Sequence, residues 1–270
     1  MRFFLTIEYD GTNFVGWQKQ NSGPSIQETI EGCIYKIMQE NISIYGSGRT
    51  DAGVHALGQV AHVDIKKDFE PSRLMEAINS YLKGYKIKIV DVKKTLPDAH
   101  ARFSALNREY EYIILNRSAP PAIDEGKVWH QRKLLNIKKM EEAAKILEGT
   151  HDFTSFRASQ CQSKSPIKTL DKLNILIKDE KIFIKAKAKS FLHHQVRNIV
   201  GTLKLVGSEK WNSEDVLTAL EKKDRRAAGP TAPAFGLTLL KIEFPKTIPI
   251  ADKVVKSKSC FAILNCTIKI

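Results

Sequence analysis

Cysteine is scarce in this sequence: four in 270 residues, at 33, 161, 260 and 266, with no CxxC pair among them. A structural zinc framework needs close, paired thiolates, so no metal is expected. The same scarcity excludes a disulfide-built scaffold, and free thiols suit a reducing, cytoplasmic compartment. No unbroken apolar run approaches the length of a bilayer span, so no membrane partner is expected. The start, "MRFFLTIEYDGT", turns acidic almost at once and lacks a cleavage-site pattern, so it is read as a first strand and not as an export signal. Acidic side chains are the other shortage: 30 Asp and Glu stand against 43 Lys and Arg, a formal charge of +13. Such a surplus suits a polyanion, most simply nucleic acid, because distributed cations neutralise phosphates.

What is present is regular patterning. "RFFLTIEYD" alternates and puts Phe3, Leu5, Ile7 and Tyr9 on one face of a strand. "PSIQETIEGCIYKIMQE" begins with Ser25 and Glu28 at capping-box spacing and carries a helical apolar stripe from Ile26 to Met38. "ISIY" is a short strand, "QVAHVDIK" alternates again, a helix is expected from Pro71 to Leu82, and "KIKIVDVKKT" is a strand. The order is β-α-β-β-α-β, the ferredoxin-like arrangement. The remainder repeats it. "REYEYIILN" is a strand, "NIKKMEEAAKILEG" a helix capped by Asn136 and closed by Gly149, and "KTLDKLNILIK" with "KIFIKAKAK" a hairpin. Helices follow in "HHQVRNIVGTLKLVG" and "SEDVLTALEKK", and "GLTLLKIEF" closes the sheet. The expected fold is therefore α+β (mixed α/β): two ferredoxin-like, RRM-like domains with mainly antiparallel sheets side by side and the active-site cleft between them. Their expected limits are 1–105 and 106–245, with a basic extension over 246–270 whose "CFAILNCTIKI" has strand character. Lys185, Lys187 and Lys189 share one strand face, which suits either a cationic groove or a solvated surface.

One loop is chemically dense. "YGSGRTDAGVHALGQVAHV", from Tyr45 to Val63, presents Arg49, Asp51 and His55 between two strands. Gly46, Gly48 and Gly53 let the backbone bend and let a substrate approach closely. An aspartate held there can serve as nucleophile or general base, provided that a nearby guanidinium favours its charged form. Arg49 and Arg197 are the available guanidinium groups. His55 is read as support for the loop. His193 and His194 sit side by side, and adjacent helical positions face different directions, so they are not expected to act on one centre.

Six segments carry a resemblance in order: "YDGTNFVGWQKQ", "GSGRTDAGVHALGQVAH", "DAHARFSALNREYEYIILN", "GTHDFTSFRASQCQSKSPIKTL", "FLHHQVRNIVGTLKLVG" and "AAGPTAPAFGLTLLKIEF". Together, over about residues 1–245, they closely resemble the tRNA pseudouridine synthase A family. The resemblance implies isomerisation of uridine to pseudouridine at positions 38, 39 and 40 of the tRNA anticodon stem-loop, by a homodimer with no metal or organic cofactor. It makes Asp51 the catalytic aspartate and Arg197 its ion-pair partner. Arg49 is then the residue that helps to extrude the target nucleotide, a step that costs a few kcal/mol of stacking. Tyr110 becomes the substrate-stacking tyrosine and a proton-transfer group, its stacking offsetting part of that cost. RNA contacts are expected around His100, Arg102 and Phe103 in "AHARF", and over Gln160, Cys161, Gln162, Ser163 and Lys164 in "QCQSK".

Attack by Asp51 on C1′, attack on C6 of the base, and removal of the ribose 2′ proton all remain open, and all need one ionised carboxylate in a water-poor pocket. The sequence departs from the family pattern at "NSYLKGYKIKI", where a proline turn is usual, and at Lys168, where arginine is usual and a bidentate contact would become a point charge. Two rivals fit less well. An RRM-type binder would carry an aromatic RNP motif, and none occurs. A metal-dependent nuclease would cluster carboxylates near the loop, whereas the acids are dispersed.

Overall fold

The computed structural model describes residues 1–249. Strand β1 (Arg2–Tyr9) is followed by helix α1 (Ile26–Met38), β2 (Ile44–Gly46), β3 (His55–Asp64), α2 (Pro71–Tyr81) and β4 (Ile87–Thr95). The second half runs β5 (Asn107–Asn116), β6 (Trp129–Gln131), α3 (Ile137–Leu147), β7 (Gly149–Asp152), β8 (Ile167–Lys178), β9 (Lys181–Ala188), α4 (Gln195–Gly207), α5 (Ser213–Glu221) and β10 (Leu237–Glu243). No described helix is long and apolar enough to cross a membrane. Of the extension, only residues 246–249 are described, and the strand-like "CFAILNCTIKI" lies outside the described residues.

The alternation read in "RFFLTIEYD" becomes a buried strand: Phe3, Leu5, Ile7 and Tyr9 are almost wholly enclosed. Phe4, on the opposite face, is enclosed too, because Phe244 meets it edge-on at 5.2 Å. Helix α1 starts where Ser25 accepts the amide of Glu28, and it buries Ile26, Ile30, Cys33 and Ile34 against the sheet. Asn136 caps α3 in the same manner, accepting the amide of Lys139. Helix α3 ends at Leu147 with Glu148 as its C-cap, and Gly149, at φ 100°, follows at the expected stop and also opens strand β7. Helix α4 is enclosed almost all round, so it is the central helix of the second half.

Both halves follow one strand order. The first is β4-β1-β3 with β2 against β3, and the second is β10-β5-β9-β8. Where two adjacent sheets were expected, a single ten-stranded sheet is found. The joint is local. Strand β2 covers only Ala61 to Val63 of β3, which leaves the His55 end of β3 open for β10. There Thr238 pairs with His55 and Leu239 with Ala56, in parallel, while every main pairing inside each half is antiparallel. The loop of Asp51 lies at this joint, immediately before β3.

On the face of β9 away from α4, Lys185 pairs with Glu111 at 3.4 Å and Lys187 with Glu243 at 2.8 Å. Of the two readings of these lysines, the charge-balanced surface is the one that fits.

Candidate functional site

The loop from Ser47 to Val54 is fastened along its length. Ser47 donates its hydroxyl to Ala101 O, and Gly48 O accepts from the Gln59 amide. The hydroxyls of Thr50 and Tyr9 lie 2.8 Å apart, Thr50 O accepts from the Trp17 amide, and Asp51 forms a β-bridge with Gly16. Not all three loop glycines are needed for their backbone freedom. Gly53 has φ 77°, a left-handed conformation that a β-carbon disfavours, and at Gly46 a β-carbon would strike the Trp17 ring at 2.6 Å. Gly48 has neither constraint. With both strands and loop backbone held, Arg49 is exposed while Asp51 is half-buried.

Asp51 meets the second half directly. Arg197 donates from its Nη1 to Asp51 Oδ2 at 2.9 Å and from its Nε to Ala232 O at 2.8 Å. The Arg197 side chain is only 14% exposed, so this charge-assisted pair is shielded from water on the arginine side. The segment carrying Ala232 can reach Arg197 because Gly201 on α4 has no side chain: a β-carbon there would lie 1.7 Å from Pro230 O.

The two histidines contradict the expectation that they face apart. They precede α4 instead of lying on it, and His194 has φ 62°. That left-handed turn brings both rings to one carboxylate. His193 Nε2 stands 3.4 Å from Asp51 Oδ1, His194 Nε2 stands 3.3 Å from Oδ2, and the ring centroids are 4.0 Å apart. Burial outweighs the nearby carboxylate and holds the His194 imidazole below its ordinary value.

Arg49 does not reach Asp51. It is exposed, and its Nη1 donates to Gln162 Oε1 at 3.2 Å, bridging to the 157–166 loop. That loop is tied to the histidine turn, since the Ala158 amide donates to His193 O. Gln160 and Lys164 are exposed, Cys161 packs partly against the core, and the Ser163 hydroxyl donates to Ser165 O. Tyr110 on β5 is enclosed edge-on against Phe191 at 5.3 Å, near enough to Asp51 and Tyr9 to feel both, and burial pushes its phenol well above its ordinary value. His55 holds the joint by its ring: Nδ1 faces the Gly11 amide and Asp10, and Nε2 faces Phe235 O and Gly126 O. Its ring partners lie outside the 47–54 loop, so it supports neighbouring segments and not the loop that the sequence suggested.

A second cluster lies along the same edge. The rings of Tyr45 and His62 stack at 5.0 Å, His62 meets His100 at 4.5 Å, and His100 meets Phe103 at 4.4 Å, with the Arg102 guanidinium over Phe103. Phe103 is 75% exposed although it is fully apolar, an arrangement that invites a flat partner. His100, Arg102 and Phe103 are thus brought together, and Tyr45 joins them unforeseen.

Arg108 was also overlooked. Its buried guanidinium has no carboxylate partner and donates instead to four carbonyls: Ser47 and Arg102 from Nη2, Lys189 and Ala105 from Nη1. Three chain segments, the Asp51 loop included, are clamped by one cation. Burial lowers its affinity for the proton, and guanidinium stays charged regardless. A signal existed in the sequence: in "REYEYIILN" Arg108 is in phase with the buried Tyr110 and Tyr112.

The family model described as tRNA pseudouridine synthase matches residues 5–104 and 143–245, so it spans both halves and the joint between them. The chain is thus an isomerase of the class that acts on tRNA. Its relatives sharpen this. A tRNA pseudouridine synthase A from Rhodospirillum centenum is 52% identical over 87% of this chain and 96% of its own. Those of Rhodospirillum rubrum (91% of this chain, 88% of its own) and Rhizobium leguminosarum bv. trifolii (92% and 93%) are each 48% identical. The chain belongs to the tRNA pseudouridine synthase A family.

Proposed function

We propose that this protein isomerises uridine to pseudouridine at positions 38, 39 and 40 of the tRNA anticodon stem-loop, with Asp51 as the catalytic carboxylate. The observation that carries the reading is the Asp51–Arg197 pair at 2.9 Å, drawn from opposite halves of a chain whose family acts on tRNA. Uridine and pseudouridine are isomers, so the reaction needs no redox partner or energy donor. The glycosidic N1–C1′ bond breaks, the uracil turns, C5 bonds to C1′ and loses its proton, and N1 takes up a proton, so the composition is unchanged. Asp51 attacks C1′ or C6, or removes the 2′ proton; in each route a carboxylate oxygen engages an unstacked nucleotide, and the guanidinium of Arg197 holds and aims it.

Arg49 stands free enough to leave Gln162 and take the space of the extruded base. Tyr110 supplies a face for the base and, held as a phenol by burial, a hydroxyl that donates or relays a proton. His100, Arg102 and Phe103, and the 160–164 segment, bind the ribose-phosphate chain, as their exposure and charge suit. Residues 1–105 and 106–245 act as the two units of a cytoplasmic homodimer's subunit, without cofactor.

The test is mapping of pseudouridine in an unmodified tRNA before and after addition of the purified chain. Conversion at the three uridines is expected. Unchanged uridines at all three, or conversion elsewhere only, would overturn the reading.

A further inference from the structure

We propose that Asp51, His193 and His194 form a site for a divalent first-row transition ion of the zinc type, and that the ion holds the carboxylate the isomerisation needs. Among the described residues these three form the one group of three metal-ligating side chains whose donor atoms all lie within 4.8 Å of one another. The two histidine nitrogens stand 3.4 and 3.3 Å from the carboxylate oxygens. Four ligands around zinc at about 2.0–2.1 Å lie about 3.3–3.4 Å from each other, the edge of the tetrahedron. Charge-assisted hydrogen bonds are shorter, about 2.7–2.9 Å, and only Arg197 approaches Asp51 that closely. Each histidine nitrogen therefore stands at ligand spacing from one carboxylate oxygen, His193 from Oδ1 and His194 from Oδ2, and farther off than a charge-assisted hydrogen bond would hold it.

The donor set selects the ion. Two imidazole nitrogens and one carboxylate suit zinc, nickel, cobalt or copper, whereas magnesium and calcium prefer oxygen alone. Three protein ligands leave a position for water. The way in is open, with the His193 side chain 40% exposed, His194 28% and Asp51 21%. Little has to move, because the left-handed backbone at His194 already turns both rings inward. Arg197 sets the limit on affinity: its cation bonds Oδ2 at 2.9 Å and repels a second one, which makes the ion exchangeable. An ion there neutralises the carboxylate as a nucleophile or base. The competition with catalysis rests on the proposed function; the site itself does not.

Equilibrium dialysis of the full chain against zinc, without RNA, separates the two. The reactive thiols are alkylated first, since Cys161 and the cysteines at 260 and 266 are rival ligands. One ion per chain is expected. His193→Ala and His194→Ala should each weaken binding by at least about tenfold, with unchanged far-ultraviolet circular dichroism. Absence of stoichiometric binding, or binding indifferent to both substitutions, overturns the site. In the second arm, zinc should suppress pseudouridine formation and a chelator should restore it; binding at these residues with undiminished turnover overturns the competition. A chain that binds zinc here yet forms no pseudouridine in metal-free buffer supports the site and overturns the isomerase reading.

Discussion

The two halves of the molecule share a strand order and divide the chemistry unequally. The first half contributes the acid, on a loop fixed at Ser47, Gly48, Thr50 and Asp51. The second contributes the guanidinium of Arg197, both histidines and the Tyr110 phenol. Neither half holds all of these side chains, and among the described residues the ladder between β3 and β10 has two residue pairs. Side chains do the rest: Arg108 clamps the first half's loop from the second, and His55 reaches the second half's loops from the first. A repeated fold thus yields one site by joining unlike ends.

The dependence of one half on the other is greatest at Arg108. Arg108→Met leaves four carbonyls without their donor, at a cost of about 3 kcal/mol in stability. Urea unfolding followed by fluorescence measures it, and the midpoint should fall without a change in slope. A loss below 1 kcal/mol would show that the halves are held together elsewhere.

Acid titration should separate the halves. Burial pushes His62 in the first half down to about 4, with Arg2 and His100 adding to the effect and Asp64 opposing it. Its Nδ1 accepts the Ala101 amide at 3.2 Å, a bond that protonation removes. The unfolded chain takes up this proton near 6.5, well above the folded value. Stability contributed by neutral His62 is therefore complete above about pH 6.5 and is lost as the pH falls towards 4, by at most about 3 kcal/mol. His62→Gln, which keeps an acceptor, should flatten that slope in unfolding measurements across the range.

Arg197→Lys sharpens the comparison at the site. Lysine keeps the charge but cannot bond Asp51 and Ala232 O in the same fork, so one charge-assisted hydrogen bond worth ~1.5–3 kcal/mol is lost. Single-turnover rates should fall about 10–100-fold, with tRNA affinity little changed. The smallest effect belongs to Gly53→Ala. Its β-carbon would meet Ala234 in ordinary contact at 3.4 Å, so only the left-handed backbone opposes it, by about 1 kcal/mol in thermal unfolding.

Much of this was legible in the sequence. Period-two alternation and capping signals located the principal strands and helices of both halves, because those patterns follow from local burial. The short strands β6 and β7, of three and four residues, carry too little pattern to be read. The single sheet was hidden as well, since it depends on how far β2 reaches along β3, which no local signal encodes. At the site, Asp51 and Arg197, expected as an ion pair, lie 2.9 Å apart, while Arg49 turns to Gln162. The histidine pair was misjudged because a helical direction was assumed for residues that precede the helix. One positive φ at His194 reverses that geometry.

The central claim is that a carboxylate of one half, ion-paired by the other, carries out the isomerisation. Asp51→Asn tests it most directly, in single-turnover assays on an anticodon stem-loop with binding measured in parallel. The rate should fall by at least about a thousandfold while affinity for the RNA stays within about twofold. Turnover within tenfold of the parent chain would contradict it.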